Sequence, residues 1–278
     1  HLHTSLIALI ATLYSLTANA LPRLTVVVVV DGMTQENLTD MRSYWPAGGL
    51  RTLSEEAYQT TIDFPHLVYG GQETTATLMT GTTPSRHGIM ADTYFSRTDR
   101  SVHPTLADPQ AAGIGTDLSI SPRALLSVSL SDEWRIQQGA QAHIYAIGLQ
   151  PEATVLMAGH AANACCWLDP ATQKWATSSF YTEGLPAAAD AMNVSGRITE
   201  LANRPWAPRM DVSMYMRPTP EERKKPFSYA PAAQLLNTPA ANTLVIEMAL
   251  ALQKDLQLGA DNTPDLLLLQ LTTLSPHA

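Results

Sequence analysis

Asp31 closes a run of five consecutive valines, Val26 to Val30, and is followed by Gly32. A strand that is apolar at every position has both faces covered, as in a parallel sheet between helix layers. It delivers its terminal carboxylate to the edge where open α/β sheets place their ligands. Asp31 is then either a ligand for a metal or substrate, or the N-cap of the helix that follows, a role Asp also favours. About fifty residues on, a Gly-Gly pair and a threonine-rich stretch lead into Thr80-Gly81-Thr82-Thr83-Pro84-Ser85-Arg86-His87-Gly88-Ile89. The segment from Thr60 to Asp92 reads as a strand, a helix whose N-terminus points into a site, and an ordered loop behind it.

Other reactive residue types carry less. Cys165 and Cys166 are adjacent, so they form no ordinary structural disulfide with each other, and no His/Cys group stands at zinc-ligand spacing. They read as small buried hydrophobes. The densest charge run, Glu221-Glu222-Arg223-Lys224-Lys225, is mixed in sign and reads as a solvated loop. The chain of 278 residues is 45% hydrophobic and 15% charged, with a formal net charge of -8. That size and composition support a sizeable core. The negative balance argues against a nucleic-acid backbone as partner, which needs clustered Lys and Arg.

The elements that position these residues follow from pattern. A helix is expected from about Thr34 and another from Gly48 to Tyr58, with a strand over Thr60 to Asp63. Ala142 to Leu149 and Leu266 to Leu271 read as buried strands. Ala240 to Leu258 reads as a long helix ended by Gly259. Residues 161 to 231, rich in Pro, Trp, Met and Ala, lack strong periodicity and read as an irregular insertion over the site. At the start, Leu6 to Leu16 is an apolar run of eleven with Thr12, Tyr14 and Ser15 mixed in, followed by Ala18-Asn19-Ala20, a small-x-small cleavage site. This reads as a signal peptide over residues 1–20, entered partway and too short for a membrane span, with a mature chain from near Leu21. An amphipathic first helix is the alternative.

Val26 to Met33 together with Thr80-Gly81-x-x-Pro84-Ser85-x-His87-Gly88-Ile89 resembles the alkaline phosphatase superfamily. The similar branch is that of the threonine-nucleophile phosphatases and the nucleotide pyrophosphatase/phosphodiesterases. Ser121-Pro122-Arg123, Ala158-Gly159-His160, Phe180-Tyr181, Thr238-Pro239 and Asn242-Thr243-Leu244 follow in order, so the resemblance spans nearly everything after residue 24. It implies an α/β fold, a mostly parallel sheet between helices with a cap insertion, of which this chain is the N-terminal part. It also implies zinc-dependent hydrolysis of phosphate esters, with a metal-activated hydroxyl attacking phosphorus; the signal-peptide reading makes the protein secreted or periplasmic.

The site positions that the resemblance implies are altered here. The nucleophile is expected nine residues before Thr80, where this chain has Gly71, which carries no oxygen. Thr74, Thr75 and Thr77 are the candidate replacements. Using Thr74 or Thr75 shifts the attacking group by about one helical turn, roughly 5 Å, which an in-line displacement does not tolerate without rebuilding the loop. An Asn that would hydrogen-bond a phosphoryl oxygen corresponds to Asp92, and a Lys-x-Arg pair corresponds to Gln150-Pro151-Glu152. A carboxylate about 5 Å from a phosphoryl oxygen, at an effective dielectric near 20, repels it by about 3 kcal/mol, or roughly two decades in affinity. Of the metal ligands the resemblance implies, Asp31 keeps its identity. Thr272 to Ala278 offers no Asp, His277 is an orphan, and the remaining ligands would lie beyond Ala278. These replacements imply a degenerate, weakly active or inactive member used for binding or assembly, with a protein partner or a small phosphorylated ligand. The alternative is an active phosphomonoesterase or phosphodiesterase with a remodelled nucleophile and metal site.

Overall fold

The structure, a computed structural model, describes residues 22–67, 71–204 and 235–273. The expected signal peptide, the charge run at 221–225 and His277 lie outside them. The elements run β1 (Leu24–Asp31), α1 (Gln35–Asp40), α2 (Leu50–Glu56), α3 (Gly71–Thr80), α4 (Pro84–His87), β2 (Thr93–Ser96), β3 (Ser101–Pro104) and β4 (Gly113–Ile114). They continue with α5 (Leu130–Gln138), β5 (Ile144–Gly148), α6 (Pro151–Ala158), β6 (Ala164–Leu168), β7 (Trp175–Ser178), α7 (Ala187–Val194), α8 (Arg197–Ala202), α9 (Pro239–Asp255) and β8 (Asp265–Thr272).

Six strands form one sheet in the order β1-β8-β5-β6-β7-β4. The pairs β1–β8, β8–β5 and β5–β6 are parallel, while β7 and β4 join antiparallel. Long parallel crossovers require helices on the sheet faces, which is what the apolar strands demand. One buried cluster joins α9 and its Leu244, Val245 and Met248 to Leu267 and Leu269 of β8. The opposite cluster joins Ala76 and Met79 of α3 and Val155 to Ala158 of α6 to Leu266 and Leu268. Alternate leucines of β8 thus feed the two layers, and a strand buried on both sides has no polar alternation.

β1 departs from that expectation. Val27 and Val29 pack against the α3–α6 cluster, but Val26 and Val28 are 47% and 50% exposed. Among the described residues β1 is an edge strand, and one of its faces is not covered. Thr60 to Asp63 is not a strand: among the described residues no strand pairs with it, and β-propensity without a ladder does not hold a strand together. The described part of 161–231 is also not an irregular insertion, since β6 and β7 within it are buried strands of the central sheet. Its weak periodicity reflects burial on both faces. Residues 205–234 of that segment lie outside the described residues.

Candidate functional site

The carboxyl ends of the parallel strands open on a cavity of about 880 Å³. Asp31 and Gly32 after β1, Thr272 and Thr273 at the end of β8, and Leu149 and Gln150 after β5 all line it. The first turns of two helices complete the wall, Gly71 and Gln72 of α3 and Pro151 to Ala153 of α6, and Asp92 comes from the loop before β2. The structure therefore brings together Asp31, Gly71, Asp92, Gln150 and Glu152, which lie as much as 121 positions apart in sequence.

Each wall is fixed locally. The Asp31 carbonyl accepts from the Thr273 backbone N–H (2.8 Å) and its hydroxyl (3.1 Å), tying the ends of β1 and β8 together. Gly32 has φ 75°, and a Cβ there would meet Thr273 Oγ1 at 2.8 Å, so the turn after Asp31 requires glycine. Asp31 does not cap α1: Thr34 is the N-cap, its hydroxyl accepting from Asn37 N–H at 3.1 Å. The capping reading of Asp31 is thereby overturned, and its carboxylate makes no hydrogen bond to a described residue.

Across the cavity, buried Gln270 of β8 accepts from Leu149 N–H (2.8 Å) and Gln150 N–H (3.1 Å) through Oε1, which shapes the turn from β5 into α6. Sequence reasoning missed Gln270. Its signal was a lone amide in the run Leu266-Leu267-Leu268-Leu269-Gln270-Leu271, since a polar residue in a buried strand must satisfy something specific.

The loop that carries Asp92 is equally ordered. Thr105 closes the β2–β3 hairpin by donating its N–H to the Asp92 carbonyl (2.9 Å) and its hydroxyl to Ala91 O (2.5 Å). The Asp92 carboxylate then accepts from the Gln72 backbone N–H at 3.2 Å, at the N-terminus of α3.

The threonines of α3 are engaged elsewhere. Thr75 donates back to the Gly71 carbonyl at 2.8 Å. Thr77 meets His87 Nε2 at 3.0 Å, while His87 Nδ1 accepts from Ile89 N–H at 3.2 Å. The Nδ1 lone pair is therefore in use, the proton sits on Nε2, and His87 cannot serve Thr77 as a base. Burial, with His66 nearby, pushes His87 below the usual histidine range, so the ring is neutral and structural. None of Thr74, Thr75 and Thr77 lines the cavity.

Ser101, His103 and Asp99 also stand together on the β2–β3 hairpin. Both Ser101 Oγ (2.8 Å) and Asp99 Oδ2 (2.6 Å) converge on the same His103 Nε2. A relay from carboxylate to hydroxyl needs the two ring nitrogens separately, so this is a turn contact.

The described lining carries three carboxylates, Asp31, Asp92 and Glu152, and no Lys, Arg or His. Zinc is the metal that the resemblance implies, and a zinc site needs at least three converging protein ligands. Among the described residues no group of three or more His, Cys, Asp or Glu is placed to hold a metal ion. The described residues do not fit a zinc site. The cysteines are buried, with Cys166 pushed up to about 12 by burial, and neither serves as a ligand here.

A mostly parallel sheet with its site at the carboxyl ends of the strands, and helix α3 leading into the Thr80-to-Ile89 loop, defines an α/β scaffold of the alkaline phosphatase superfamily. Residues 25–274 match the type I phosphodiesterase / nucleotide pyrophosphatase family, and the chain belongs to it. The chain is 28% identical over 283 residues to alkaline phosphatase PafA of Elizabethkingia meningoseptica, covering 92% of this chain and 51% of that protein. It is 23% identical over 279 residues to alkaline phosphatase PhoV of Synechococcus elongatus, covering 91% and 50%. The crystal structure of wild-type PafA shares its fold with a TM-score of 0.81 at 24% identity, over 91% of this chain and 54% of that one. The chain spans about half the length of the curated relatives it matches.

Proposed function

We propose that this protein is an exported family member in which phosphate-ester hydrolysis is lost or strongly attenuated, and whose cavity serves binding or assembly. The observation that carries this reading is the N-terminus of α3. The residue there is Gly71, with no oxygen to attack phosphorus, and the amide beside it is taken by Asp92. Loss of a covalent nucleophile and of its electrostatic partners costs several decades in rate. Export is supported by the Leu6-to-Leu16 run and the Ala18-Asn19-Ala20 site, and no helix of the described residues is long and apolar enough to cross a membrane. The second reading, an active hydrolase with a remodelled nucleophile, draws on the named phosphatase relatives and on the preserved position of Asp31 at the cavity.

The test is turnover of an aryl phosphate monoester and an aryl phosphate diester by the natural full-length protein with zinc. No turnover above background is expected, and a zinc-dependent rate of about 1 to 10 per second, within the usual enzyme range, overturns the reading. A Cβ built on Gly71 meets nothing within 4 Å, so the backbone leaves room for a side chain to start there in Gly71→Thr. Combined with Asp92→Asn, Gln150→Lys and Glu152→Arg it restores the side-chain types that the resemblance implies. Appearance of activity in that variant alone locates the loss at these positions.

A further inference from the structure

We infer that Asp92 is an internal substitute for an oxyanion: its carboxylate holds the α3 N-terminus and thereby excludes phosphoryl groups from the cavity. This deepens the reading of the cavity as one kept for binding without phosphate turnover, and rests on it. A helix N-terminus presents unpaired N–H groups and a positive dipole end, and so attracts an anion. Here one of those groups, Gln72 N–H, points at Asp92 Oδ1 at 3.2 Å, across 20 positions of sequence. Asp92 is delivered there by a stem, not by a floppy loop, because Thr105 fixes both its carbonyl and that of Ala91.

The second helix that opens on the cavity also carries a carboxylate at its start, without a bond to its amides. α6 begins at Pro151 with no side-chain cap, and Glu152 lies in its first turn. Each helix end that faces the cavity is thus accompanied by a carboxylate of the chain itself, with no cationic side chain among the described lining residues. An incoming phosphate must displace Asp92 from its amide or sit beside it. At about 5 to 8 Å and an effective dielectric of 20 to 30, that repulsion lowers affinity by about tenfold to a hundredfold or more.

The experiment uses inorganic phosphate on the natural full-length protein, at constant ionic strength made up with chloride. Wild type, Asp92→Asn, Asp92→Ser and Glu152→Gln are compared by calorimetric titration and by thermal unfolding with and without phosphate. Asp92→Asn keeps an oxygen within reach of Gln72 N–H without the charge, and the shorter Asp92→Ser removes both, so it reports even if Asp92→Asn folds poorly. The expected result is a lower midpoint for the Asp92 variants without phosphate, recovered when phosphate is added. Their affinity for phosphate should rise about tenfold to a hundredfold over wild type, with a smaller gain for Glu152→Gln. If Asp92 is only a cap, its variants lose stability and phosphate neither binds nor restores them, which overturns the inference. Wild type binding phosphate as tightly as the variants overturns it too. Ester turnover by wild type alongside a phosphate gain in the variants overturns the proposed function and leaves the role of Asp92 standing.

Discussion

Replacing Asp132 by asparagine tests how α5, α6 and the His160 turn are joined. Asp132 Oδ2 accepts from Ser129 N–H and His160 Nδ1, both at 2.9 Å. Its Oδ1 accepts from His160 N–H at 2.6 Å and from Ala161 N–H at 2.9 Å. Both oxygens are therefore full, and the carboxylate is 9% exposed. Asn has one oxygen: with its NH₂ toward His160 N–H and Ala161 N–H it strands both, and turned the other way it strands Ser129 N–H while a neutral His160 accepts through Nδ1. One or two donors are stranded, and the charge that held His160 cationic is lost. At about 1 to 3 kcal/mol for each stranded group, Asp132→Asn costs about 1 to 6 kcal/mol, against a typical domain stability of about 5 to 15 kcal/mol.

The loss carries a pH signature. His160 donates from Nδ1 to Asp132 and from Nε2 to Leu125 O (3.1 Å), so both nitrogens bear protons and the ring is cationic. The hydrogen bond to Asp132 raises His160 above its ordinary 6.5 despite opposing burial. A raised folded pKa means this stabilisation is fully present below about 6.5 and is lost as pH rises through the folded value. Burial acts to raise Asp132, but its bonds from His160 and Ser129 outweigh it and hold the carboxyl below 3.8. That part is present above 3.8 and lost as pH falls through the folded value. Urea unfolding across pH should show the gap between wild type and Asp132→Asn at its widest between these limits and narrowing on the alkaline side. A gap below about 1 kcal/mol, or one that does not narrow as pH rises, would refute the reasoning.

Zinc titration of the described chain is expected to show only weak binding that Asp31→Asn leaves unchanged; submicromolar affinity abolished by that substitution would restore Asp31 as part of a working zinc site. Cys165 and Cys166 are expected to resist alkylation in the native protein and to react on unfolding, because burial raises both thiols; rapid native labelling would contradict their packing. Gly148→Ala places a Cβ 2.2 Å from Thr154 Oγ1 and 2.9 Å from Gln270 Cβ. It should destabilise by at least about 2 kcal/mol, as overpacking does, and a thermal scan showing no loss would mean the β5–α6 turn is looser than described. Mass spectrometry of the exported protein is expected to find its N-terminus at Leu21, and retention of residues 1–20 would remove the signal-peptide reading.

The buried strands were legible where composition leaves no alternative. The Leu266-to-Leu271 run and the Ala142-to-Leu149 segment are too apolar for any place but a covered sheet, and they are β8 and β5. Thr60 to Asp63 had the residue types of a strand without a neighbour to pair with, and pairing is a property of the sheet. β6 and β7 were hidden for the opposite reason: burial on both faces erases the alternation that marks a strand. That Gly71, Asp92 and Glu152 would share a site was likewise legible, because motif spacing counts along the chain, and all three line the cavity.

What the sequence determined by itself is therefore the chemistry available: one carboxylate after a valine run, no hydroxyl at residue 71, and acidic residues at 92 and 152. Tertiary structure alone decided what that chemistry meets. It gave the capping role to Thr34 and left Asp31 facing the cavity. It left one face of β1 uncovered among the described residues, with Val26 and Val28 about half exposed. It also brought Asp92 onto the amide of Gln72 through a hairpin stem. The reason is that parallel strands all end on one side of the sheet, so residues far apart in sequence converge there only once strand order and register are set, and neither is written in local periodicity.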